Sequence, residues 1–393
     1  MASILLVNKA SLKYPGGAET RLRAVATRWA KSGHRVYLLC AKTAPAEPRE
    51  EVFEGVTIRT IRVLPDFILP RFPVPHYLPQ ALFYLFSPFF VIFYCRRWRI
   101  NAIRDSMSPF PGLGLIAPLF GPKSIVVLHV LFGGYLGWRR FYPPVYAFVG
   151  ALGESLLLRG ALRYRAVITD APWVAQYIRE RGKLGVSIKA IENGVDVSRF
   201  KQRRALNRIH RIVNAARFVE HKGQLDLIDA CGQLKARGID FQLDLYGNGR
   251  LRSALEARVA SYQLEGIVRI LPPMSQREVQ ERLSSYDLYV MVSQIEGLPV
   301  ILLEAMAARL PVVVAARPYA TTLFEKTLVR FYEPSQPGAL AEAISWAIEN
   351  PFEMEEMAGR ARAHVERFTW ERAAAMELEF LSDLLADGSQ DKR

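Results

Sequence analysis

Short apolar runs alternate with longer stretches whose apolar positions recur every three or four residues, and this alternation organises nearly the whole chain. Residues 4–7 read as a first buried strand. Ala18, Leu22, Val25, Ala26 and Trp29 follow at helical spacing, and Gly33-His34-Arg35 leads into a second strand at 36–40. Residues 124–129 and 166–169 read as later strands of the same sheet. After a turn-rich connector, Asn193-Gly194-Val195-Asp196, the rhythm starts again at 211–215, with strands at 242–246, 268–271, 288–292 and 311–315 separated by helical segments. Strands alternating with helices signal parallel sheets with crossover helices, so the pattern predicts two α/β halves. A last periodic segment, 370–385, carries Ala374, Leu378, Leu381 and Leu385 on one face and is expected to pack on another element, with the end from Asp387 frayed.

The most apolar stretch, 81–95, is interrupted by Pro88 and closed by Arg96-Arg97-Trp98-Arg99. A spanning helix needs about 20 residues, so this segment is expected to reach headgroup depth and no further. A second aromatic and basic tract, Trp138-Arg139-Arg140-Phe141-Tyr142-Pro143-Pro144-Val145-Tyr146, lies downstream. Both read equally as ordinary core helices with solvated arginines. The charge balance favours the membrane reading: residues 1–185 carry 25 Lys and Arg against 10 Asp and Glu, whereas 186–393 carry 27 against 28. The net +14 therefore sits in the first half, as suits an anionic surface. Nucleic acid is not expected, because the basic residues are interleaved with bulky aliphatics. The opening residues, with a short apolar run and no basic leader, read as a strand rather than a secretory signal.

Composition narrows the class further. A chain of 393 residues, half of them hydrophobic, 23% charged and 11% aromatic, has core material for two or three domains and is no long disordered segment. The scattered Cys40, Cys95 and Cys231 exclude a disulfide framework and a cysteine-rich zinc site. A cytoplasmic setting is expected.

In open parallel sheets ligands bind beyond the carboxyl ends of the strands, so the residues after each strand carry the chemistry. Gly16 and Gly17, in Tyr14-Pro15-Gly16-Gly17-Ala18-Glu19, stand between a strand and a helix, where free amides attract phosphate, though the loop lacks the Gly-Lys-Ser/Thr ending of a Walker loop. Arg217 and Lys222, five apart in a second such loop, suit a diphosphate, or else are solvated surface cations. Tyr246-Gly247-Asn248-Gly249 ends another strand and reads equally as a tight turn. In the run from Ser293 to Met306, Glu296 lies in a loop and Glu304 in a helix opened by Pro299, whose positive end favours phosphate oxygens. Glu304, flanked by apolar neighbours, needs a partner, and ribose or sugar hydroxyls would serve.

Together Gly16-Gly17-Ala18-Glu19, His129 after an apolar strand, Glu192-Asn193-Gly194-Val195-Asp196, Arg217 with Lys222-Gly223, Gly247-Asn248-Gly249 and Glu296 through Glu304-Ala305-Met306 resemble family 4 of the retaining, nucleotide-sugar-dependent glycosyltransferases, in order and spacing. The resemblance implies the type B fold, two Rossmann-like domains across a cleft: 1–185 on the acceptor and membrane side, 190–366 holding the nucleotide-sugar, and a helix at 369–386 crossing back to the first domain. It implies that Glu304 accepts from the ribose, Arg217 and Lys222 neutralise the diphosphate, Glu296 touches the donor sugar and His129 lines the sugar site. Gly16, Gly17, Gly247, Gly297 and Leu298 complete the donor set, and Glu19 stands on the acceptor side. One departure concerns the loop after 311–314, where the family usually carries a glycine and Ala315-Ala316-Arg317-Pro318 has none.

The expected activity is transfer of a hexose-type sugar from a nucleoside diphosphate donor to an acceptor hydroxyl with retained configuration, with no cofactor and no metal required. The expected acceptor is a lipid-linked glycan or glycolipid at the cytosolic membrane face. The alternatives are a phosphorylase or epimerase on the same scaffold, and a catalytically silent nucleotide-sugar-binding subunit of a membrane glycosylation complex.

Overall fold

The computed structural model describes residues 1–13, 16–42, 46–63, 77–106, 113, 117–119, 123–129, 131–161, 163–181, 186–201 and 205–387. Tyr14 and Pro15 of the first glycine loop, position 185 and the end at 388–393 lie outside the described residues. The chain divides into two compact units, Met1–Asn193 with Trp370–Arg393, and Gly194–Thr369.

The first unit is built on eight strands: β1 Ser3–Asn8, β2 Arg35–Ala41, β3 Glu50–Phe53, β4 Val56–Ile61, β5 Ala102–Ser106, β6 Lys123–Leu128, β7 Ala166–Thr169 and β8 Ser187–Ala190. Their order is β3-β4-β2-β1-β5-β6-β7-β8, parallel throughout except for the β3–β4 hairpin at the edge. β1 and β5 are buried along their whole length, as interior strands of a parallel sheet covered on both faces must be. The strand order reverses between β1 and β5, beside the helix Gly17–Lys31 that follows β1.

The apolar stretch is a continuous helix, Tyr77–Arg97, and Pro88 lies inside it rather than breaking it. A proline has no N–H for the carbonyl four residues back. Here the Ser87 hydroxyl donates to that carbonyl, on Tyr84, at 2.9 Å, which keeps the acceptor paired. The second aromatic tract runs through the end of the helix Gly134–Arg139 and the start of the helix Pro144–Ala161.

The second unit carries β9 Arg211–Ala215, β10 Gln242–Tyr246, β11 Val268–Leu271, β12 Leu288–Met291, β13 Val312–Ala315 and β14 Arg330–Tyr332, in the order β11-β10-β9-β12-β13-β14 and all parallel. Ile212, Leu243, Leu245, Val290 and Val313 from the strands pack with Leu227, Cys231 and Ile344 from the helices in one buried cluster. Burying each large aliphatic side chain contributes about 1.5–3 kcal/mol. This sheet reverses order between β9 and β12.

The helix Trp370–Asp387 packs within the first unit. Its buried face is Ala373, Ala374, Glu377, Phe380 and Leu381, while Leu378 and Leu385 are only half-buried. The face is rotated from the apolar pattern because a charge anchors it. Glu377, fully buried, accepts from Arg21 Nε at 2.9 Å and Arg104 Nε at 2.8 Å, and both arginines are themselves fully buried. Trp29 Nε1 adds a hydrogen bond to the Ala374 carbonyl at 2.8 Å. Burial alone would push the Glu377 carboxyl up, but the Arg104 and Arg21 charges and hydrogen bonds overrule it and hold it at about 2.

Removing the acid leaves two guanidiniums buried without their counter-charge, so Glu377→Gln is expected to destabilise this unit by about 3–5 kcal/mol in urea unfolding at neutral pH. The folded-state pKa is depressed, so this stabilisation is complete above the ordinary value of 4.5 and is lost as pH falls through about 2. The gap between wild type and Glu377→Gln is expected to narrow on acidification.

Candidate functional site

All six strands of the second unit point the same way, so the loops after β9, β10, β12 and β13 leave one edge of the sheet side by side. β9 and β12 are neighbours although two strands separate them in sequence, and loops diverging at such a reversal leave room for a ligand. The loop after β9 ends in a short turn, Glu220–Lys222, closed by Gly223 at φ 73°. A Cβ on Gly223 would lie 2.4 Å from the Val292 carbonyl oxygen at the end of β12, so glycine is required there both for its φ and for the close approach. The two loops are tied by Gln294 N–H donating to the His221 carbonyl at 2.8 Å. That contact brings Lys222 against Glu296, and Lys222 Nζ forms an ion pair with Glu296 Oε1, both side chains mostly buried.

His221, next to this pair, is a neutral imidazole at physiological pH. Burial lowers its pKa to about 4, helped by the Lys222 charge and more weakly by Arg217, against the opposite pull of Glu296 and Glu220. Arg217 itself is exposed on the turn directly after β9. Among the described residues its guanidinium hydrogen-bonds to neither Glu296 nor Glu304; its backbone carbonyl accepts from Gln224 Nε2 at 3.0 Å. The Arg217 turn rests on the Gly247–Gly249 loop. Phe218 N–H donates to the Asn248 carbonyl at 2.9 Å, and a Cβ on Gly247 would lie 2.0 Å from the Ala216 carbonyl oxygen. The missing side chain of Gly247 thus admits a neighbouring backbone of the same protein.

Glu304 lies in the helix Val300–Ala307 and is buried. Burial raises its pKa to about 7, an effect partly offset by Gln276 Nε2, which donates to Oε1 at 2.5 Å. Gly297 and Leu298, also buried, lead into this helix. In the glycine-free loop after β13, Arg317 Nη2 donates to Gln294 Oε1 at 2.6 Å, while its Nε is buried without a partner among the described residues. In the sequence Arg317 stands out only as a member of this glycine-free loop. Its position next to the Glu296 loop follows from the β12–β13 pairing, which apolar periodicity does not specify.

In the first unit, Gly16 and Gly17 follow β1 at the start of the helix Gly17–Lys31. A Cβ on Gly16 would lie 2.2 Å from Glu19 Oε2, so the Glu19 carboxylate folds over that glycine. Glu19 is buried, with Lys9 Nζ 3.7 Å from its Oε1, whereas nothing crowds Gly17. His129 stands directly after β6, and its Nδ1 is 3.0 Å from Asp170 Oδ2. Asp170 carried no signal in the sequence beyond its place after a strand.

A family model described as Glycosyl transferases group 1 matches residues 198–364, and one described as Glycosyltransferase Family 4 matches residues 15–199. The chain is 30% identical over 208 residues to the amylovoran biosynthesis glycosyltransferase AmsK of Erwinia amylovora, covering 51% of each chain. It is 25% identical over 391 residues to the D-inositol 3-phosphate glycosyltransferase of Paenarthrobacter aurescens, covering 93% of this chain and 92% of that one. The chain thus spans about half the length of AmsK, and 32% and 34% of two WcaL proteins from Salmonella typhimurium and Escherichia coli. Among solved structures, the sucrose-phosphate synthase of Thermosynechococcus elongatus superposes with a TM-score of 0.83 at 19% identity, over 98% of this chain and 100% of that one. Anabaena HepE, solved with UDP and glucose, gives 0.73 at 17% identity, over 97% and 100%. At such identities the structures establish the fold. The two family models meet at 198–199 and together take in residues 15–364, and the chain belongs to glycosyltransferase family 4, with the type B fold of two Rossmann-like domains.

Proposed function

We propose that the protein transfers a hexose-type sugar from a nucleoside diphosphate donor to an acceptor hydroxyl, with retention at the anomeric carbon. The observation that carries this reading is the Lys222–Glu296 ion pair where the strand order of the second unit reverses. Lys222, with Arg217 nearby in the same loop, neutralises the diphosphate as it leaves, and the amino end of the helix Val300–Ala307, into which Gly297 and Leu298 lead, adds partial positive charge. This work is assigned to the protein's own cations, without a metal ion. Glu296, held by Lys222, is positioned to receive hydroxyls of the donor sugar and to face the oxocarbenium-like transition state. Glu304 accepts from the ribose, and His129 accepts from a hydroxyl of the transferred sugar.

In the chemical step, the bond from the anomeric carbon to the phosphate oxygen breaks and the bond to the acceptor oxygen forms on the same face. The acceptor proton passes to the departing phosphate oxygen, so no enzymatic nucleophile is needed.

The acceptor is assigned to a lipid-linked glycan or glycolipid at an anionic membrane surface. The helix Pro144–Ala161 exposes Val145, Tyr146, Phe148, Val149 and Leu152, one face across two turns, and the helix Gly134–Arg139 adds Leu136, 79% exposed. Arg139 and Arg140 are exposed beside them. The helix Tyr77–Arg97 shows a stripe of Leu85, Phe86, Phe89 and Phe93 ending in Arg96 and Arg97. Apolar faces of this extent bordered by arginines suit shallow insertion into a lipid headgroup region. No helix among the described residues is long and apolar enough to cross a membrane. Glu154, in the helix Pro144–Ala161, ties the helix Gly134–Arg139 to its own, accepting from the Phe132, Gly133 and Gly134 N–H groups at 2.8–3.0 Å and from Trp138 Nε1 at 3.0 Å.

Three outcomes are expected. Lys222→Ala and Arg217→Ala each reduce turnover by more than about tenfold in an assay with a labelled nucleotide-sugar. Near-normal turnover in both would remove the diphosphate assignment, and donor binding without transfer to any lipid or glycan acceptor would favour the silent subunit. Because ionised Glu304 accepts from ribose hydroxyls more strongly than the neutral acid, donor affinity is expected to rise by up to about tenfold between pH 6 and pH 8, through its pKa of about 7, and to be flat in Glu304→Gln. Finally, the protein is expected to float with liposomes containing anionic lipid, less so at high salt, and less again in a variant carrying Phe148→Ser and Leu152→Ser.

A further inference from the structure

His129 does not stand alone at the edge of its sheet. β6 and β7 pair in parallel with Leu128 opposite Thr169, so the next residue of each strand, His129 and Asp170, leaves the edge alongside the other. His129 Nδ1 lies 3.0 Å from Asp170 Oδ2, and Asp170 is only 3% exposed. An ionised carboxylate only accepts hydrogen bonds, so the ring donates from Nδ1 and, when neutral, keeps a lone pair on Nε2. That Nε2 is buried and has no partner among the described residues.

Asp170 is held in turn. Asn193 Nδ2 lies 3.5 Å from the same Oδ2, and Asn193 Oδ1 accepts from Arg21 Nη1 at 3.0 Å, which fixes which end of the amide faces the acid. Arg21 Nη1 also donates to the Ile191 carbonyl at 2.7 Å, and Arg21 Nε donates to Glu377. Asn193, Arg21 and Glu377 are no more than 3% exposed. Asn193 is also the last residue of the first unit before the chain passes to Gly194.

We propose that Asp170 is a positioning residue that locks His129 in the tautomer protonated on Nδ1, leaving Nε2 to accept a hydrogen bond from a sugar hydroxyl. Asn193 and Arg21 hold Asp170 in place. The tautomer lock stands on this geometry alone; its consequence for turnover rests on the transferase reading above. Without Asp170, the ring exchanges tautomers and rotates, and some of its states present an N–H where a lone pair is needed.

The test has two arms on the full-length chain. Imidazole nitrogen NMR of protein labelled in histidine, with the His129 signals assigned through His129→Gln, reads the tautomer directly. The expected spectrum has Nδ1 protonated and Nε2 bare in the wild type, and a mixture in Asp170→Asn and Asn193→Ala. A wild-type ring protonated on Nε2, or signals unchanged in both variants, would overturn the proposal whatever the enzyme's activity. In the kinetic arm, Asp170→Asn is expected to lower kcat about tenfold with donor KM nearly constant. In a His129→Ala background Asp170→Asn should add no further loss. Additive losses, or a loss that tracks melting temperature in both Asp170→Asn and Asn193→Ala, would show Asp170 to be structural only.

Discussion

Parallel pairing is the constraint on which the rest depends. Because every strand of the second unit runs in one direction, the segments following β9, β10, β12 and β13 are delivered to a single edge. The reversal of order between β9 and β12 then sets Lys222 against Glu296, 74 residues apart in sequence. The glycine at 223 makes the approach possible, since any side chain there would strike the Val292 carbonyl. A cation held beside an anion at this edge is a different object from a free lysine. Its ammonium is oriented by Glu296, which, on the function proposed above, reduces the ordering cost of gripping a diphosphate.

The first unit solves a different problem with charge. Its closing helix is separated by some 350 residues from the helix Gly17–Lys31 on which it packs, and a purely apolar contact between two such helices would tolerate sliding. A single carboxylate shared by two buried guanidiniums disfavours other registers, since sliding would leave buried charges unpaired. Arg21 carries that order further, through the Ile191 carbonyl and Asn193, to the point where the chain leaves the unit.

Much of this was legible in the sequence, and the parts that were not share a cause. Buried apolar strands such as Ile4–Val7 within β1 and the first five strands of the second unit stood out because parallel sheets bury both faces, whereas the short edge strand β14, Arg330–Tyr332, did not. β5, Ala102–Ser106, did not, because Arg104 and Asp105 occupy its fully buried centre. Their distant partners, Glu377 and Tyr164, together with the Ser106 hydroxyl that accepts from Arg104, make that burial tolerable. For the same reason the buried face of the Trp370–Asp387 helix could not be placed by counting leucines. Lys222, Glu296 and Glu304 stand out as candidates from motif spacing. The contact between Lys222 and Glu296, the Gln276 partner of Glu304, the support of Arg217 by Gly247 and the Asp170 partner of His129 depend on strand order, which periodicity does not encode.

The central claim is that the loops 216–223 and 292–299 together grip the donor's diphosphate. Hydrogen–deuterium exchange of the full-length protein, with and without each of a panel of nucleoside diphosphates, tests it most directly. A nucleotide that binds is predicted to slow exchange in both loops while the β11 edge stays unchanged. A nucleotide that binds and protects neither loop, or a panel from which none binds, would contradict the account.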